Sequence, residues 1–236
     1  MLRLKVYKKM SRDYSELENL IGYSFNDKNH LDIAFTHKSY TNENLVKKHQ
    51  SYERYEYLGD AILEFLVSRF LFDTYPDMPE GKLTKLRASI VCEFTLSKLS
   101  RELNLGNYGF FSKGERNTGG YNRDSILCDM FESLLGAIYL DGGLEEADGF
   151  VKRLLLTDIE NKVLYYDSKS MLQEYSQKNN IVLSYNLLSE SGPEHNKQYH
   201  VNVMLDEEII AEGIGHSKKS AEQNAAFEAL NKLNIK

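Results

Sequence analysis

The feature that most restricts this chain is a switch of hydrophobic period after Asp167. From residue 14 to about residue 161, apolar residues recur at three- and four-residue spacing. Tyr55, Leu58, Ile62, Phe65, Leu66 and Phe70 form one such run, and Ile126, Phe131, Leu134, Leu135 and Ile138 another. That is the signature of helices that each bury one face. Beyond Asp167 the pattern shortens to two, most clearly in residues 200–205, HVNVML, which is the alternation of a half-buried strand. A chain of 236 residues has room for two modest domains. The two periods predict an all-α domain over residues 1–160, a linker over 161–167, and a small α+β domain over 168–236.

The order expected in the second part is helix, three antiparallel strands, helix. Residues 168–178 read as a short helix with Ser168 as its N-cap. Residues 181–188, 198–205 and 209–215 read as strands. Residues 217–233, rich in Ala, Glu and Leu, read as a strong helix. In the first part, Gly106, Gly109, Gly114, Gly119 and Gly120 punctuate a loop, and Asp141, Gly142 and Gly143 end a helix with residues that tolerate a left-handed cap.

Composition sets limits on function. No apolar run approaches the roughly 18–20 residues of a membrane span, and the N-terminus lacks the apolar core of a signal peptide. Cys92 and Cys128 are the two cysteines and form no CxxC pair, which fits free thiols in a reducing cytoplasm. The net charge of −6 argues against an indiscriminate nucleic-acid binder. The last 69 residues are no more basic, holding seven lysines against nine acids. Any nucleic-acid contact therefore has to come from local patches.

Two helical segments carry unusual acids. In YERYEYLGDAILEF, Glu53, Glu56 and Asp60 fall at i, i+3 and i+7, on one helix face; in ILCDMFESLLGAIYLDGG, Asp129 and Glu132 fall at i and i+3. Like charges at this spacing destabilise a helix unless something compensates. Helix surfaces carry acids routinely, and spacing alone favours that plain reading. Glu56, Asp60, Asp129 and Glu132 nevertheless lie inside very apolar stretches, where crowded carboxylates need protons or cations. Oxygen ligands without His or Cys suit magnesium or manganese. Two such ions, about 4 Å apart, suffice for in-line displacement at a phosphodiester.

The string ERYEYLGDAIL closely resembles the signature of bacterial ribonuclease III, usually ERLEFLGDAVL. IGYSFNDKNHLDIAFTHKSY, PEGKLTKLRASIV and GGYNRDSILCDMFESLLGAIYLDGG resemble the segments around it in that family. The stretch from SMLQEYSQ to GIGHSKKSAEQNAAFEAL resembles the double-stranded-RNA-binding domain that follows. The resemblance thus runs in order over nearly the whole chain. It implies a ribonuclease III fold, then an α-β-β-β-α domain. It implies a Mg2+-dependent endonuclease, with Mn2+ able to substitute, that cuts double-stranded RNA. The expected ends are 5′-phosphate and 3′-hydroxyl with short 3′ overhangs. It further implies a homodimer formed by the N-terminal domain, and roles in processing ribosomal RNA precursors and some mRNAs and tRNAs.

Residue by residue, Glu56, Asp60, Asp129 and Glu132 match the family's metal-binding acids, with Asp60 and Glu132 the most essential. Glu53 and Glu80 match acids at the edge of the site. Gln173, Glu174 and Gln177, then His195, then Lys218 and Lys219 match the three RNA-contact regions. A binding module that had lost catalysis would have lost at least one of the four acids, and all four are present. Tyr55 and Tyr57 depart from the usual Leu and Phe, and a buried hydroxyl there would need a partner. Tyr57 matches an aromatic at the family's dimer interface. Cys128 and Ser133 replace alanines. His37 reads as a packed or capping histidine rather than a general base, and Gly119 and Gly120 lack the context of a phosphate loop.

Overall fold

The computed structural model describes residues 12–43, 50–192 and 197–235. His195 and the first eleven residues lie outside the described residues. The helical part comprises α1 (Ser15–Ile21), α2 (Asn29–Ala34), α3 (Lys38–Glu43), α4 (Glu53–Thr74), α5 (Glu80–Val91), α6 (Glu93–Glu102), α7 (Leu105–Tyr108), α8 (Lys113–Asn117), α9 (Asp124–Gly142) and α10 (Leu144–Leu154). Then come α11 (Ile159–Asn179), β1 (Leu183–Ser191), β2 (Gln198–Leu205), β3 (Glu208–Gly215) and α12 (Lys218–Leu233). Two compact units result among the described residues: those within 1–66, 96–116 and 120–155 form one, and those within 67–95, 117–119 and 156–236 form the other.

The first unit is organised around α9. Its residues Ile126, Leu127, Met130, Phe131, Ser133, Leu134, Leu135, Gly136, Ala137 and Ile138 are all buried, so this helix is enclosed on most sides rather than amphipathic. The N-terminal part of α4 crosses it at very short range. A Cβ placed on Gly59 would lie 1.8 Å from the Glu132 backbone oxygen, and one on Gly136 would lie 2.3 Å from the Tyr55 oxygen. Only glycine permits that approach. Ser133, fully buried, donates its hydroxyl to the Ala34 oxygen at 3.1 Å. The same contact explains why a hydroxyl is tolerated there: the buried polar atom is satisfied. Tyr55 likewise has a partner, its hydroxyl lying 2.9 Å from His30 Nδ1. Tyr57 needs none, being 80% exposed.

In the second unit, β1, β2 and β3 form an antiparallel sheet in that order. Leu172, Val203, Ala211, Ala225, Ala226, Ala229 and Leu230 make its core. The alanines of α12 let that helix settle onto β3, where a Cβ on Gly213 would meet the backbone of Ala221 and Ala225 at 2.4 and 2.3 Å. Ser217 caps α12: its Oγ accepts from the Ser220 N–H at 3.1 Å, and Ser220 Oγ accepts from the Ser217 N–H at 3.0 Å, a reciprocal capping box.

Two expectations are corrected. Gly106 and Gly114 lie within the short helices α7 and α8 rather than in a loop. Ser168 does not cap a new helix. It lies fully buried inside α11, which starts at Ile159 and runs through residues 161–167, and its hydroxyl donates to the Tyr165 oxygen at 2.9 Å. The physical reason is the sequence NKVLYYDSKS, which has no Gly or Pro to stop a helix. Tyr165 is buried and donates to Asn224 Oδ1 at 2.8 Å, so tertiary contact holds the segment helical. A serine within a helix can bond back to a preceding carbonyl as readily as it can cap. The strands fall close to their expected positions, with β1 reaching Ser191 and carrying an irregularity between Leu187 and Ser189.

Candidate active site

The site is built where α4 begins beside α9. Tyr52 precedes α4, and its carbonyl accepts from the N–H groups of Tyr55 and Glu56 at 2.8 and 2.9 Å, so it opens the helix that carries Glu56. The close crossing at Gly59 and Gly136 then sets Glu56 against the first turns of α9. Ligand oxygens of Glu56, Asp129 and Glu132 all lie within 4.8 Å of one another, and all three residues are half-buried.

Charge crowding at this point is strong. Burial, then Asp129, Glu53 and Asp60, push Glu56 up to about 7, while Lys38 works the other way. Burial, then Asp60, Asp129 and Glu56, push Glu132 up to about 8. Burial also raises Asp129, while the hydrogen bond from Tyr52 works the other way. Carboxylates held this close cannot all ionise without help. A hard divalent cation relieves the crowding, and three carboxylates from two rigid helices are the donor set such an ion takes. The residues present fit a magnesium- or manganese-type ion.

The remaining sequence candidates are placed differently. Asp60 sits on α4 one turn beyond Glu56, exposed to solvent, outside the three-residue group, yet close enough for its charge to raise Glu132. Glu53 is exposed and pairs with Lys38 at 3.5 Å. Glu80 belongs to the other unit, where it opens α5 and accepts from the Thr84 hydroxyl at 2.9 Å. In the α+β part, Gln173, Glu174 and Gln177 are exposed on α11. Lys218 and Lys219 are exposed at the start of α12, with Lys218 Nζ 3.5 Å from Glu190.

Two residues beside the acids escaped the sequence reading. Tyr52 donates its hydroxyl to Asp129 Oδ2 at 3.0 Å, and Lys38 lowers both Glu56 and Asp129. Tyr52 lies four residues before Glu56, one helical turn, and that spacing was its sequence signal. Nothing in the sequence pointed to Lys38. His37 behaves as a packed residue: Nδ1 accepts the Ser39 N–H at 3.1 Å and lies 2.7 Å from the Ser39 hydroxyl, and burial lowers its pKa. Cys128 Sγ lies 3.8 Å from Glu132 Oε1, a weak contact that leaves the carboxylate available.

Residues 27–159 match the ribonuclease-III-like family, and residues 168–233 match the double-stranded RNA binding motif. Over 232 residues the chain is 44% identical to Ribonuclease 3 of Bacillus licheniformis, covering 97% of this chain and 93% of that one. It is 45% identical over 235 residues to Ribonuclease 3 of Bacillus cereus, covering 98% and 96%. The solved nuclease domain of ribonuclease III from Campylobacter jejuni is similar with a TM-score of 0.57 and 41% identity, over 61% of this chain and 96% of that domain. Paired acidic helices at the front, a duplex-RNA-binding motif behind, and relatives alike over almost their full length all lead to one assignment: the chain belongs to the ribonuclease III family.

Proposed function

We propose that this protein is a Mg2+-dependent endoribonuclease that hydrolyses both strands of double-stranded RNA. The observation that carries the reading is the shared point formed by Glu56, Asp129 and Glu132, whose ligand oxygens come within 4.8 Å. In such a setting divalent cations supply Lewis-acid activation of water and of the scissile phosphate. The chain's own contribution is to hold those ions. Glu56, Asp129 and Glu132 are the ligands we assign. Asp60, exposed one turn beyond Glu56, is assigned as the fourth metal-binding acid and, with Glu132, as the most essential to catalysis. Burial and neighbouring carboxylates raise Glu56 to about 7 and Glu132 to about 8, so cation binding near neutral pH is expected to release protons. Oxygen-only ligands favour Mg2+, and Mn2+ takes the same ligands. Glu53 is assigned a supporting role at the edge.

Duplex recognition is assigned to the α+β part. A-form RNA is read through 2′-hydroxyls and phosphates across two minor grooves and the intervening major groove. Lys218 and Lys219, at the N-terminus of a 16-residue helix, combine charge with the helix dipole toward phosphate. Gln173, Glu174 and Gln177 offer side chains for 2′-hydroxyls.

The chain acts as a homodimer in this reading. Tyr57 and Phe65, 80% and 51% exposed on α4, flank the acids and offer an apolar face for a second copy. Two sites related by a two-fold axis each cut one strand, giving 5′-phosphate and 3′-hydroxyl ends with short 3′ overhangs. Ribosomal RNA precursors and some mRNAs and tRNAs are the substrates we assign, on family grounds, and the cytoplasm is the compartment that holds them. Among the described residues, no helix is long and apolar enough to cross a membrane.

The test is direct. The purified protein is incubated with a long RNA duplex, and separately with a DNA duplex, with and without Mg2+. Short RNA products bearing 5′-phosphates, formed only with the metal, are the expected result. Intact RNA under all conditions removes the proposal.

A further inference from the structure

Tyr52 is a buried side chain that touches one of the acids and has no assigned role. It is 3% exposed, and its hydroxyl donates to Asp129 Oδ2 at 3.0 Å across 77 residues of sequence. Its frame is held from several sides. The Tyr52 N–H donates to the Thr36 oxygen at 2.8 Å. Its ring packs 5.6 Å from the His37 ring, and the His37 N–H is tied to the Phe110 oxygen at 3.0 Å. His37 in turn is fixed by Ser39, whose Oγ accepts the Ser112 N–H at 3.1 Å. A phenol clamped in this way cannot follow a moving carboxylate.

Tyr52 also opens α4 through its carbonyl. One residue therefore joins the helix that carries Glu56 to the side chain of Asp129 on α9. We propose that Tyr52 is a positioning residue for divalent-cation binding, its hydroxyl holding the Asp129 carboxylate turned toward Glu56 and Glu132. The inference rests on reading that trio as the cation site. Partners that orient metal-ligating carboxylates typically account for 10- to 100-fold in metal affinity, and the hydroxyl of Tyr52 is assigned that share.

The experiment measures Mn2+ affinity of the full-length, metal-stripped protein by titration calorimetry, with no RNA present. Tyr52→Phe keeps the ring and its packing and removes only the hydroxyl. Tyr121→Phe, which removes a hydroxyl from a tyrosine that is 42% exposed and has no part in the acid cluster, is the control. Tyr52→Phe is expected to weaken Mn2+ binding about 10-fold or more, with helix content by circular dichroism and KM for duplex RNA unchanged. Cleavage by this variant is expected to fall at low Mg2+ and to recover at saturating Mg2+. Mn2+ affinity within about twofold of wild type, or lost cleavage that saturating metal does not restore, overturns the assignment of Tyr52. Glu132→Gln separates that failure from failure of the underlying reading: if it too binds Mn2+ like wild type, the trio is not the cation site at all. A Tyr52→Phe protein that loses its helix content shows a structural role and also overturns the proposal.

Discussion

Gly59→Ala isolates the contact that builds the active site. A methyl group at this position would stand 1.8 Å from the Glu132 backbone oxygen, where ordinary contact begins at 3.4 Å. The obstacle is backbone inside a helix, so it cannot swing aside as a side-chain tip would. To make room, α4 and α9 must separate by more than an ångström. Overpacking of this kind costs about 1–3 kcal/mol and sometimes more. Replacing a helical glycine with alanine returns up to about 1 kcal/mol of helix propensity. The clash prevails, and a net loss of roughly 1–2 kcal/mol is expected.

The same separation moves Glu132 from Glu56, so Mn2+ affinity should fall by at least about tenfold, or about 1.4 kcal/mol. Gly136→Ala, with its added carbon 2.3 Å from the Tyr55 oxygen, should act alike. The double variant should cost less than the two losses combined, because one separation relieves both clashes. Gly81→Ala is the internal control: nothing lies within 4 Å of its added carbon, so it should be neutral or stabilising by up to about 1 kcal/mol. Urea unfolding followed by circular dichroism gives the stabilities, and titration calorimetry the affinities. If Gly59→Ala behaves like Gly81→Ala in both measurements, the close crossing does not build the site.

Three further outcomes are expected. Glu132→Ala should abolish cleavage while duplex binding, measured by gel shift, stays largely intact; loss of binding would mean that catalysis and recognition do not separate. Metal-free stability should depend on pH in a definite sense. Glu56 and Glu132 rise from 4.5 to about 7 and about 8 in the folded protein, so the stability they contribute is full below about pH 4.5 and is lost as pH rises through 7 and 8. Mg2+ should therefore raise the melting temperature more at pH 9 than at pH 6, and an equal rise at both would contradict the shifts. Changing Lys218 and Lys219 to Ala should weaken duplex binding and reduce its salt slope by about 1 per lysine; an unchanged slope removes both from the phosphate contacts.

Much of this molecule is legible along the chain. Helical spacing and strand alternation depend on neighbours within a few residues, so the elements of both parts can be read locally, as can the acids that share a helix face. What the spacing could not show is how each acid is surrounded. Glu53, Glu56 and Asp60 lie on one side of α4, yet Glu56 is half-buried among carboxylates while Glu53 and Asp60 are exposed. That difference depends on which part of the face α9 covers, and the contact of Gly59 with Glu132 decides it. The helical state of residues 161–167 was hidden for a related reason: a local sequence without Gly or Pro permits it, and burial of Tyr165 holds it. The bond from Tyr52 to Asp129 joins residues 77 apart in sequence. Local pattern fixes the period of each element, but long-range packing alone sets which atoms of two distant elements come within hydrogen-bonding reach.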